Sequence, residues 1–251
     1  MAVLEKEGKQ VDLHNLSGKI LKQIRYNRTM ISTSEDIWDI YGDNSSQYER
    51  TFARVLEDET ILNFIKQKRS PIIIDIMGPS FALRDFFQEV PDKSKLGIAL
   101  SLLDKRTVEE KNKDQKSGIK QFAGNIMRRG FWRGIKAELG ERKADLIMER
   151  AMGGLDCLPK DEHMYSMLLS KAWNLLNEQN GMLLFQVPSY VDLKENSVRI
   201  EEWINLLKVN NLNVKYHSNK YGNTDAFCRV DRGVIKIIKT PDSLKELPFL
   251  R

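Results

Sequence analysis

Pro71-Ile72-Ile73-Ile74-Asp75-Ile76-Met77-Gly78-Pro79-Ser80 is the stretch on which the reading of this chain turns. Its first half is a compact β-branched run with no polar alternation, the pattern of a strand buried on both faces as in a parallel sheet. Gly78-Pro79-Ser80 breaks that strand, and Phe81 to Phe87 continues as a helix. Strand, acid, tight turn and helix in this order bring a bare backbone and the unpaired N–H groups of a helix start to one end of a sheet.

The residues on either side repeat the theme. Downstream, strands are expected at Lys95 to Leu100, Ile119 to Phe122, Ala144 to Met148 and Met182 to Val187. Helices are expected from about Ile126 to Leu139, from Glu162 to Glu178 with Gly181 closing it, and from Val198 to Val209. Strand and helix alternating in this way need right-handed crossovers between parallel strands, which makes the chain α/β. The last fifty residues differ. Asn213 to His217, Ala226 to Val230 and Val234 to Lys239 are short strand-like runs, with Asp231-Arg232-Gly233 as a tight turn, so an antiparallel edge is expected. Upstream, Leu16, Ile20, Leu21 and Ile24 recur at helical spacing. Asn44-Ser45-Ser46 can cap a helix from Gln47 to Leu56, and another is expected from Glu59 to Lys68.

Composition narrows the function classes. With 41% hydrophobic and 30% charged residues, the 251-residue chain is that of an ordinary globular protein. No apolar run approaches the ~18–20 residues of a membrane span, and the N-terminus lacks the apolar core of a signal peptide, so a cytoplasmic protein without membrane contact is expected. Cys157 and Cys228 lie far apart and outside any Cys/His cluster, which argues against a zinc site or structural disulfide; no metal is expected. The net charge of +5 permits attraction to nucleic acid without requiring it. The basic tracts Lys19 to Arg28 and Lys105 to Lys120 read as solvated faces. Arg128-Arg129-Gly130-Phe131-Trp132-Arg133 has two readings: a stacking surface for single-stranded RNA, or an amphipathic helix with its aromatics buried. His14 and His163 read as surface or capping residues and His217 as an edge-strand residue. HExxH, P-loop and GxSxG patterns are missing.

Ligands of a doubly wound sheet bind beyond the carboxyl ends of its strands. Five such ends carry polar or glycine residues: Asp75 to Ser80, Ser101 to Arg106, Gly124-Asn125, Glu149 to Gly154, and Gln186 to Tyr190.

With these stretches in view, the chain resembles the class I S-adenosylmethionine-dependent methyltransferases. Ile72 to Ser80 looks like their first motif, Lys143 to Arg150 their fourth-strand motif, and Ala172 to Leu176 through Gly181 to Phe185 their helix-glycine-strand segment. The resemblance covers roughly residues 71–239 at the level of the superfamily. It implies a Rossmann-like, mostly parallel seven-stranded sheet with an antiparallel C-terminal edge over residues 70–251. Residues 1–69 would then be a helical N-terminal extension and cofactor lid, with S-adenosylmethionine as cofactor. The resemblance places Gly78, with Met77, Pro79 and Ser80, against the methionine part of the cofactor, and Asp75 behind that loop. Met77 stands where the family usually has another glycine. The ribose-gripping acid is replaced by Ala99, leaving Asp104, with Ser101 near it, as the substitute. Asn125, with Gly124, takes the adenine position. Glu149 and Arg150 match positions that contact acceptor or cofactor. Trp38 to Asp43, including Tyr41, and Tyr48 to Arg50 correspond to lid segments; the alternative is that Trp38, Tyr41 and Tyr48 anchor a helix on the core.

Methyl transfer is an in-line displacement that depends on alignment above all, so it requires no triad, and none is singled out. The expected activity is methyl transfer from S-adenosylmethionine, with a small-molecule acceptor ahead of RNA. The alternative is a non-catalytic binding or scaffold protein of the same fold. A nicotinamide oxidoreductase fits less well because GxGxxG is missing.

Overall fold

The computed structural model describes residues 3–6, 9–12, 44–76, 78, 80–91, 94–101, 104, 106–124, 126, 128–150, 162–187, 194–218 and 233–250. The chain begins with a small antiparallel hairpin, β1 (Val3–Lys6) and β2 (Lys9–Asp12), in which Val3 faces Asp12. Of residues 1–69, read as a helical extension, the described part holds this hairpin and, from Ser45, two helices. The alternation of the two strands is only four residues long on each side, too short to stand out from a polar leader.

Helix α1 (Ser45–Leu56) starts where expected. Asn44 is extended, and its side chain accepts from the Gln47 N–H. Thr60 caps α2 (Ile61–Gln67) in the same way through the Asn63 N–H, and the Glu49 carboxylate takes the N–H groups of Ile61 and Leu62. The central unit follows as β3 (Ile72–Ile76), α3 (Ser80–Gln88), β4 (Leu96–Ser101), α4 (Val108–Lys116), β5 (Ile119–Ala123), α5 (Arg129–Leu139), β6 (Leu146–Glu149), α6 (Glu162–Leu175), β7 (Gly181–Gln186), α7 (Lys194–Val209), β8 (Asn213–His217) and β9 (Val234–Lys239).

Seven strands form one sheet in the order β5-β4-β3-β6-β7-β9-β8. The first five are mutually parallel, and β9 runs antiparallel between β7 and β8. The order reverses between β3 and β6, so the switch point lies at the carboxyl ends of Ile72–Ile76 and Leu146–Glu149, where a crevice is expected.

Alternate side chains send the sheet into two cores. Ile73, Ala99, Leu146, Met148, Met182 and Leu184 meet Tyr48, Phe52, Leu83, Phe86 and Phe87 of α1 and α3, and Phe64 and Ile65 of α2. Ile74, Ile98, Ile147, Leu183 and Ile237 meet Trp132 and Ile135 of α5, Tyr165, Leu169 and Trp173 of α6, and Trp203 and Leu207 of α7. Each such side chain contributes about 1.5–3 kcal/mol when fully buried. That explains why the isoleucine run carries no polar alternation: both its faces are covered.

Three local expectations change. The helix expected through Glu178 ends at Leu175, and Gly181 does not close it. The turn is made by Asn180, whose φ of 59° is left-handed, and Gly181 opens β7, its N–H bonded to the Asn177 carbonyl at 3.1 Å. Within the tract read as a solvated face from Lys105, α4 is a helix with a full capping box, Thr107 with Glu110, and its Asp114 is wholly buried. The spacing Thr107-x-x-Glu110 was the signal for it. The helix expected from Ile126 begins at Arg129, because the Ile126 carbonyl is taken by the Trp132 indole N–H. The strand expected at Ala226 to Val230 and the residues Asp231 and Arg232 lie outside the described residues, as do Cys157 and Cys228. Among the described residues no helix is long and apolar enough to cross a membrane.

Candidate functional site

Asp75 is the fourth residue of β3 and wholly buried, flanked by Ala99 on one side and Met148 on the other. Strand parity turns it toward the α1–α3 face, and there the Tyr48 hydroxyl lies 2.9 Å from each carboxyl oxygen and donates its proton to them. Gly78 packs directly on the same carboxylate: a Cβ at residue 78 would fall inside the van der Waals radius of the Asp75 oxygens. The glycine of the motif is thus required by the acid of the motif. Ser80 opens α3, and its buried Oγ has no hydrogen-bond partner among the described residues.

The end of β6 ties α1 down a second time. Arg150, buried, reaches Thr51 Oγ1 with Nε at 3.1 Å and Gln47 Oε1 with Nη1 at 2.8 Å, and its guanidinium carbon lies 5.9 Å from the Tyr48 ring centroid. Gln47 and Thr51 are four apart, hence on one helical face. Glu149 precedes Arg150 and is wholly buried, but parity turns it to the opposite face, toward α5–α7. Asp75 and Glu149 therefore lie on adjacent strands and do not share a pocket.

At the next strand ends, Ser101 accepts from the Gln121 amide, whose buried Oε1 has no hydrogen-bond partner among the described residues, and the Gly124 N–H bonds the Ser101 carbonyl at 2.8 Å. Asp104 is held by Arg106 in a bidentate pair, Nε to Oδ1 at 3.0 Å and Nη2 to Oδ2 at 3.1 Å, with Lys111 at 3.2 Å. Arg106 also reaches the buried Asp114 at 2.7 Å, and Arg84 approaches its other oxygen at 3.3 Å. Burial would raise the Asp104 carboxyl, but the hydrogen bonds and charge of Arg106, with the bond from Lys111, outweigh it and bring it down to about 2. Both oxygens of Asp104 are thus already bonded within its own loop.

The sequence reading thus has Asp75, Gly78 and Ser80 together at one bend, Ser101 and Gly124 together one strand further out, and Arg150 turned onto α1. Met77, Pro79, Asn125 and Tyr41, with the rest of Trp38 to Asp43, lie outside the described residues, as does Gly153-Gly154. Of its two readings, Tyr48 fits the core anchor: its ring is buried in the α1–α3 core and its hydroxyl bonds Asp75. Gln47, Thr51, Gln121, Arg106 and Asp114 were not anticipated. Among the described residues no cluster of three or more His, Cys, Asp or Glu could hold a metal.

On α5 the aromatics are turned inward, with Trp132 buried and stacked edge-on to Phe131. Its cations are turned outward. Arg129, Arg133 and Lys136 line, with Lys171 of α6 and the edge of Trp132, a cavity of about 530 Å³.

No family model matches the chain, and no curated protein matches it. Solved structures do resemble it. The CurJ carbon methyltransferase is 13% identical, aligned over 95% of this chain and 76% of its own with a TM-score of 0.50. An O-methyltransferase from Bacillus cereus in complex with SAH is 12% identical over 84% of this chain and 99% of its own, with a TM-score of 0.48. The O-methyltransferase TomG from Streptomyces achromogenes in complex with SAM is 10% identical over 84% and 89%, with a TM-score of 0.48. Strand order, the antiparallel β9 and the match to the carbon methyltransferase agree: this chain has the Rossmann-like fold of the class I S-adenosylmethionine-dependent methyltransferases.

Proposed function

We propose that the protein transfers a methyl group from S-adenosylmethionine, and that the bend from Asp75 to Ser80 receives the amino-acid end of that cofactor. The observation that carries this reading is the bend itself. It stands at the switch point of the sheet, Gly78 brings backbone without a side chain there, and the buried Ser80 Oγ, without a hydrogen-bond partner among the described residues, stands at the N-terminus of α3. A polar, partly unsatisfied helix start beside a glycine suits a carboxylate. Further along the strand ends, the free Gln121 oxygen beside Ser101 and Gly124 suits a hydroxyl or amine donor of the ribose or adenine, with Asn125 next in sequence.

S-adenosylmethionine supplies an electrophilic methyl group on a sulfonium. The chain's own task is alignment and exclusion of water. Tyr48 and Asp75 hold the bend, and Arg150 keeps α1 over the strand ends. Asp104, locked to Arg106, shapes the β4 loop through that pair, and its ribose role would require the pair to open. The acceptor is assigned to the side of Glu149. A small molecule is the simplest acceptor from the sequence; RNA gains support from the α5–α6 cavity.

Calorimetric titration with S-adenosylmethionine, S-adenosylhomocysteine and NAD tests the reading. Binding of the two adenosyl compounds alone, lost in Gly78→Val and kept in His217→Ala, is expected. No heat with either would overturn it. Transfer from labelled donor to an acceptor pool separates catalysis from the non-catalytic alternative.

A further inference from the structure

We propose that the groove between α5 and α6, lined by Arg129, Arg133, Lys136 and Lys171, holds the phosphate backbone of single-stranded RNA and leads it to the strand-end site, which makes RNA the methyl acceptor. As an acceptor class this rests on the methyl-transfer reading; the groove's affinity for RNA does not.

None of these four cations has a hydrogen bond or ion pair among the described residues. The acid in the body of α5, Glu138, is turned to Lys120. Four cations with no ion pair among the described residues thus line one cavity of a chain with net charge +5. Other cations of the chain are paired, as Arg106, Lys111 and Lys113 are. Arg129 is also the first residue of α5, where the helix dipole is already positive. The first turn has no acid and Arg128 makes no side-chain cap. That concentration of positive potential is unfavourable until an anion covers it.

The shape selects the partner. Positions 129, 133 and 136 fall on one helical face and span about 10 Å along the axis, a line suited to a chain of phosphates more than to a single one. The groove is concave and its one aromatic, Trp132, is 4% exposed, so it offers a membrane no apolar anchor and a base no stacking face. Recognition is therefore by phosphate and independent of sequence. Because α5 follows the edge strand β5, Arg129 stands at the carboxyl end of the sheet, the same end as the site.

The test uses the full chain and a fluorescein-labelled oligouridylate, read by anisotropy over a salt series. Four released counterions predict a log–log slope of about −2.8. Replacing the four cations by Gln should remove most of that slope and weaken binding at least tenfold at low salt, while calorimetry returns unchanged S-adenosylhomocysteine affinity and circular dichroism an unchanged fold. RNA affinity unaffected by the four replacements overturns the proposal, as does tighter binding to duplex RNA or to phosphatidylserine vesicles. RNA bound in the groove with no adenosyl compound bound anywhere keeps the groove and removes the methyl-transfer reading. Labelled methyl appearing on the oligonucleotide in the wild type, and falling with its affinity in the variant, supports RNA as acceptor; none on a broad RNA pool overturns that role.

Discussion

The Tyr48 hydroxyl sits 2.9 Å from both carboxyl oxygens of Asp75, joining the first turn of α1 to the end of the central strand across 27 residues of chain. It donates its proton to a wholly buried carboxyl, and stripping the partner from a buried acceptor costs about 1–3 kcal/mol. Tyr48→Phe is expected to lower unfolding free energy by about that amount in urea denaturation, with weaker S-adenosylhomocysteine binding. A loss under ~0.5 kcal/mol would mean that the bond does not hold the helix.

Gly78 and Asp75 compete for one space. Gly78→Ala should destabilise by about 1–3 kcal/mol because the carboxylate must leave its place. The penalty should shrink when Asp75 is Ala, since the obstructing oxygens are then gone. A double-mutant cycle is expected to return a coupling of about 0.5–3 kcal/mol. Additive losses would contradict the steric account.

Arg106 and Lys111 both touch Asp104, but only Arg106 also reaches the buried Asp114. Arg106→Met should therefore cost about 3 kcal/mol, because it strips one partner from a buried carboxylate. Lys111→Met, on a half-exposed side chain, should stay within about 1 kcal/mol. Equal effects in thermal or chemical denaturation would place Asp114 outside the network.

Asp104 is held at about 2, below its ordinary 3.8. A depressed carboxyl favours the folded state above its unfolded value and loses that contribution as pH falls through the folded one. The Arg106 pair should thus be at full strength above pH 3.8 and fade toward pH 2. Acid titrations of stability for wild type and Asp104→Asn should lie apart above that window and converge below it. Parallel curves down to pH 2 would remove the pair as the cause.

Arg150→Met leaves Gln47 and Thr51 without their cation and should loosen α1 ahead of global unfolding. Hydrogen exchange is the measurement: faster exchange across Ser45–Leu56 with β3 still protected is expected. Uniform exchange would assign Arg150 a global role instead.

The sequence alone determined the periodic part of this protein. The isoleucine run at 72–74, the alternation of strand and helix, and the late edge strands follow from burial on two faces and hydrophobic spacing, which are local properties of the chain. The glycine turn after Asp75 was legible for the same reason. Tertiary structure decided the rest. That Tyr48 bonds Asp75, that Asp104 is locked to Arg106, that Glu149 faces away from Asp75, and that Lys171 joins three cations of α5 depends on strand order and facing. These couple residues far apart in the chain, and no local spacing encodes them.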